Sequence, residues 1–124
     1  MTDRLLRALE CPHLRILGHP TGRILLHRDP FPFDFERIVA EAVRRGVWLE
    51  INASPERLDL NGAMIRTAKS KGARFTISTD AHHPQHLESM RYGVTTARRG
   101  WLGPADVTNT LPADRFAALL RNPS

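Results

Sequence analysis

Three short apolar runs, at residues 14–18, 47–51 and 74–78, constrain this chain more than any other feature, because each ends on polar residues and leads into a loop and helix pattern. The first runs into His19, the second into Asn52, and the third into Thr79-Asp80-Ala81-His82. A strand followed by a helix, repeated, is βα repetition and specifies a parallel sheet in an α/β fold. In such sheets, ligands and catalytic groups gather at the C-terminal ends of the strands. Polar residues at all three ends therefore mark one rim as the candidate site.

The intervening segments carry helix punctuation. Residues 3–10 place leucines at 5, 6 and 9 on one face before Cys11-Pro12 ends the pattern. Asp34 is a predicted N-cap for a helix over 35–45, with Gly46 as its stop. Asn61 caps a predicted helix over 62–71, ended by Gly72. Pro84 suits the first turn of a helix reaching about Arg91. The tail, 92–124, reads as mostly helical, in pieces at roughly 93–100, 104–109 and 112–120. Residues 23–33 make a loop broken by prolines.

At 124 residues the chain makes one domain at most. No stretch approaches the roughly 18 apolar residues of a membrane span, and no signal-peptide pattern opens the chain, so a cytoplasmic protein is expected. Cys11 is the single cysteine, which excludes an intrachain disulfide and a cysteine-based zinc site. The net charge of +5 suits a nucleic-acid or phosphate-ester binder. That charge comes from 16 arginines and only 2 lysines, mostly scattered, a pattern that GC-rich codon usage also produces.

Three parallel strands do not close a barrel, and as an open sheet they leave two edges unpaired. No glycine-rich phosphate loop follows any strand, which argues against a nucleotide-binding unit and for a piece of a barrel. On the rim, His19, Asp80 and His82 are the nitrogen and oxygen donors that zinc, manganese and iron accept. Glu50 and Asn52 share one face of their strand and suit roles orienting a ligand or water. Arg23, just after His19-Pro20-Thr21-Gly22, is a candidate phosphate contact; His83 and His86 read as surface residues, and Glu56 and Asp59 as ordinary turn carboxylates. Nucleophile-elbow spacing is absent, so covalent catalysis has no support.

Residues 17–23 (Leu-Gly-His-Pro-Thr-Gly-Arg), 49–53 (Leu-Glu-Ile-Asn-Ala), 77–82 (Ile-Ser-Thr-Asp-Ala-His), Tyr92-Gly93-Val94 and 97–102 (Ala-Arg-Arg-Gly-Trp-Leu) together resemble the polymerase and histidinol phosphatase (PHP) domain. They look most like its version at the C-terminal end of bacterial family X DNA polymerases, over about Thr2 to Leu120. The resemblance implies the C-terminal half of a distorted (β/α)7 barrel, with up to three divalent ions, zinc or manganese, on the rim. It also implies phosphoester hydrolysis, in the polymerase setting a 3′-5′ exonuclease or other DNA end processing in repair.

By motif, His19, Asp80 and His82 would each be a ligand of a different ion. Arg98 and Arg99 in the tail motif become candidate DNA contacts beside Arg23. The family's His-X-His pair, bridging glutamate and two further histidines have no counterpart here. The chain is accordingly expected to be a partial domain, from a truncated gene, an internal start or a longer polypeptide, and inactive when isolated. DNA, the missing half of the barrel and strand-edge self-association are the expected partners. A non-catalytic DNA-binding or vestigial module, and a histidinol-phosphatase-like enzyme, are the alternatives.

Overall fold

The computed structural model describes residues 1–121; the last three residues of the predicted tail, 122–124, lie outside the described residues. Helix α1 (Thr2–Leu9) leads to strand β1 (Ile16–Leu17), then α2 (Phe35–Arg45), β2 (Trp48–Asn52), α3 (Gly62–Ser70) and β3 (Phe75–Ser78). A 3-10 segment (Pro84–Ser89) runs into α4 (Met90–Arg99). Two 3-10 turns (Pro104–Asp106 and Thr108–Thr110) precede α5 (Ala113–Arg121). The fold is α/β: a three-stranded parallel sheet in the order β1-β2-β3, flanked by helices, an arrangement consistent with a partial (β/α) barrel. Among the described residues, no helix is long and apolar enough to cross a membrane.

The helix signals act where the sequence puts them. The Asp34 carboxylate accepts the Arg37 amide, and Gly46, at φ 70°, takes the left-handed position that ends α2. Asn61 accepts from the Met64 amide at the start of α3. The Pro84 helix differs from expectation: residues 84–89 wind as a 3-10 segment, and the α-helix begins only at Met90, continuing through the predicted break at 92. The predicted helix over 104–109 is divided at Val107, whose backbone is held in a parallel bridge to Phe75. β1 is shorter than the apolar run, because pairing starts at the Arg15 carbonyl, which accepts from the Trp48 amide.

Register and side-chain alternation give the sheet two unlike faces. Leu17, Leu49, Ile51, Phe75 and Ile77 lie on one face and enter the apolar core with Ile38, Val39 and Ile65 of the helices. Glu50, Asn52, Thr76 and Ser78 lie on the other, together with Trp48, which packs against Phe116 of α5. Gly93 lets α4 approach the first face closely, since a Cβ there would sit 2.5 Å from Ile77 Cγ2 and 2.7 Å from the Ala53 Cβ.

One of the two expected open edges is closed. Beyond β3, Asn109 accepts the Ile77 amide through Oδ1 (3.1 Å) and donates to the Ile77 carbonyl through Nδ2 (2.8 Å). Thr108 Oγ1 donates to the Phe75 carbonyl at 3.1 Å. Side chains thus satisfy the ladder as a fourth strand would. Among the described residues, β1 has no strand on its outer side.

Asn109→Ala leaves both Ile77 backbone groups without their partner and is expected to cost about 1–3 kcal/mol. Denaturant unfolding measures the loss, and amide exchange at Ile77 is expected to accelerate with it. Unchanged stability and protection would show that the edge does not depend on Asn109.

Candidate functional site

The rim forms where the three strands end. After β1 the chain turns at His19 (φ 25°), and after β3 at Asp80 (φ 54°), both in the left-handed region that non-glycine residues enter at a cost of about 1–3 kcal/mol. Each turn is held by the neighbouring strand. Glu50 Oε2 accepts the His19 amide at 2.6 Å, and Asn52 donates through Nδ2 to Asp80 Oδ2 at 3.3 Å. The Asn52 Oδ1 accepts the Ser54 amide at 3.0 Å, which fixes the amide's orientation. Glu50 and Asn52 therefore touch the backbone or side chain of rim residues on either side of β2.

His82 is posed by its own turn. Its Nδ1 lies 2.7 Å from the Asp80 carbonyl, and its backbone amide donates to His86 Nδ1 at 3.2 Å. A carbonyl can only accept, so Nδ1 donates in this contact, and the ring's Nε2 faces away from it. The exposed rings of His83 and His86 stack at 5.3 Å. A cleft of about 380 Å³ opens here, lined by Asp80, His82, Gln85 and His86 from one side and Glu56 and Arg57 from the other. The Arg57 Nε stands 3.9 Å from Asp80 Oδ2.

The donor chemistry of the rim suits a divalent ion, but the donors do not assemble. His19 follows β1 and Asp80 follows β3, so β2 separates them by about 10 Å at ordinary strand spacing. Among the described residues, no three histidine, cysteine, aspartate or glutamate side chains are close enough to share an ion. A divalent ion needs three or four such ligands, and these residues alone do not fit one.

The three arginines named from the sequence sit in different surroundings. Arg23 donates through Nε to the Arg57 carbonyl at 2.9 Å and through Nη2 to the Leu58 carbonyl. Those bonds make it a staple between two loops. Arg98 and Arg99 are exposed at the far end of α4, about 12 Å along its axis from Met90 at about 1.5 Å per residue. The helix that carries them starts at the cleft and leads away from it.

Asp59 is the residue that sequence reasoning misjudged. It is fully buried, not an ordinary turn carboxylate. Its Oδ2 accepts from the Thr21 amide (3.1 Å), the Thr21 hydroxyl (2.8 Å) and the Gly22 amide (3.1 Å). Its backbone pairs in both directions with Asn52. One side chain thus fastens the His19 loop to the end of β2. Its Oδ1 is buried without a partner among the described residues, and burial pushes the carboxyl above the usual aspartate range against those hydrogen bonds. The only sequence signal was its place between Leu58 and Leu60, in an apolar context unusual for a turn.

No protein-family model matches the chain. It is 36% identical over 118 residues to the DNA polymerase/3′-5′ exonuclease PolX of Bacillus subtilis, covering 95% of this chain and 21% of that protein. It is 31% identical over 87 residues to a probable phosphatase of Caldanaerobacter subterraneus, covering 65% of this chain and 32% of the relative. A probable phosphatase of Clostridium acetobutylicum is 30% identical over 87 residues, with 65% and 33% covered. The chain therefore spans about a fifth of the polymerase and about a third of each phosphatase.

Asp59→Ala strands three donors in a buried loop and is expected to cost about 1–3 kcal/mol, whereas Asp59→Asn keeps one acceptor oxygen and loses less. The raised carboxyl pKa sets the pH dependence. Stability from protonated Asp59 is full below the ordinary aspartate pKa and is lost as pH rises through the raised value. Denaturant melts across that window should show the parent losing stability relative to Asp59→Asn as pH increases. A flat or opposite difference would mean that the carboxyl is not held as described.

Proposed function

We propose that this chain is the C-terminal part of a PHP-type phosphoesterase barrel associated with a family X DNA polymerase, acting on phosphoesters at DNA ends. The observation that carries the reading is the rim itself: His19, Asp80 and His82 stand at strand ends, with Asp80 and His82 opening onto one cleft. Likeness to a polymerase/exonuclease over 95% of the chain supports the DNA setting. Likeness to probable phosphatases over 65% of it supports phosphoester chemistry in general.

The chain's own residues have definite tasks in this proposal. Asn52 fixes the Asp80 carboxylate through one hydrogen bond, and the Asp80 carbonyl fixes the His82 ring with Nε2 facing away from it. Glu50 holds the His19 turn from the adjacent strand. Zinc or manganese, up to three ions, belongs to the complete barrel, because the described residues do not bring three donors together. Hydrolysis is accordingly assigned to that complete barrel, with the rest of it seated beyond the open side of β1.

A second reading, a DNA-binding module without catalysis, draws on the same missing donor set and on the +5 charge. The two separate cleanly. Release of nucleotides from 3′-labelled DNA, and hydrolysis of p-nitrophenyl phosphate, are measured with manganese for the full encoded polypeptide. Asp80→Ala and His82→Ala are each expected to lower the rate by at least about 100-fold. Full activity in Asp80→Ala removes the proposal. DNA binding in chelator that falls steeply with salt, with no hydrolysis by the parent, would favour the second reading. Preference for the small phosphate ester over DNA would move the assignment to a small-molecule phosphatase.

A further inference from the structure

The geometry points to Arg57 as the residue that positions the substrate's phosphate in the rim cleft. The sequence drew attention to Arg23, and the fold uses Arg23 to present its neighbour instead. The two side chains clasp each other's backbone. Arg23 donates to the carbonyls of Arg57 and Leu58, and Arg57 Nη1 donates to the Arg23 carbonyl at 3.3 Å. The turn bearing Arg57 is closed by the Arg57 and Leu58 amides, which both donate to the Ser54 carbonyl at 2.9 Å. Two loops from different strands therefore hold one guanidinium in place.

That guanidinium is preorganised yet not fully committed. Its side chain is 19% exposed, and Nη2 has no hydrogen-bond partner among the described residues. Nε faces Asp80 at 3.9 Å, too far for a hydrogen bond, so the fork is not closed on that carboxylate. Arg57 is also the one fixed cation on the described cleft wall, which otherwise offers the Asp80 and Glu56 carboxylates, two histidines and neutral groups. An anionic phosphoester entering beside two carboxylates needs a compensating charge. A planar guanidinium, tethered at Nη1 and open at Nη2, suits phosphate oxygens better than a mobile ammonium does. Arg57 is thus a positioning residue for the anion, and it replaces Arg23, Arg98 and Arg99 in that role.

The identity of the anion rests on the phosphoesterase reading; its binding in this cleft is tested without hydrolysis. Inorganic phosphate is titrated into the chain in EDTA and followed by 1H–15N NMR, including the arginine Nε–H signals. The Arg57 Nε–H and the amides of 79–82 are expected to shift. Arg57→Gln should weaken phosphate binding about tenfold, as loss of a charged hydrogen bond implies. Arg57→Lys should recover part of the affinity, with both variants melting near the parent temperature. Shifts that miss Arg57 and 79–82 would overturn the inference, as would an Arg57→Gln chain that binds phosphate like the parent. So would affinity that merely follows melting temperature across the two variants. Failure here leaves the hydrolase assignment standing, because that depends on Asp80→Ala and His82→Ala in the rate assays. Failure of the hydrolase assignment leaves a metal-free anion site intact.

Discussion

The buried carboxylate of Asp59 joins parts of the chain that nothing in their local sequence would bring together. The turn after β1 carries His19, and the segment after β2 carries Arg57; Asp59 and the paired arginines tie one to the other. A carboxylate taken out of water is costly unless donors surround it, and Thr21 and Gly22 supply three to one oxygen. The other oxygen has no partner among the described residues, and burial raises the carboxyl's proton affinity against those donors. The cleft wall opposite Asp80 owes its shape to this clamp, so the rim depends on a group that does not line it.

The unlike faces of the sheet follow from alternation along β2 and β3. Leu49 and Ile51 are fully buried, as the apolar face requires, while Asn52 is equally buried on the polar face through its bonds to Ser54 and Asp80. In a closed barrel, the polar face would look inward and the helices would form the outer wall. The three strands present that division without the closure that would complete it.

Much of this was readable from residue order. The caps at Asp34 and Asn61 and the glycine at 46 act through local hydrogen bonds and backbone freedom, which short-range sequence encodes. The strand-end positions of His19, Asp80 and His82 follow from where the apolar runs stop. What escaped the sequence depends on long-range contact. Asp59 meets Thr21 across 38 positions, and Asn109 meets Ile77 across 32. Arg23 and Arg57 donate to each other's backbone carbonyls across 34 positions. Arg98 and Arg99 lie in the tail motif singled out from the sequence, and the continuous α4 carries them away from the cleft. The break predicted at residue 92 hid that distance.

The side-chain cap on β3 also governs how copies of this chain could combine. Head-to-tail pairing, β1 of one copy on β3 of the next, is the heterologous arrangement that propagates into a filament, and Thr108 and Asn109 already occupy the surface it needs. Among the described residues only the β1 edge is uncapped, so edge pairing between copies would have to be β1 against β1, an isologous contact that closes at two. The same asymmetry leaves the described sheet with one bare edge, at β1, and one edge held by side chains that any further strand there would have to displace.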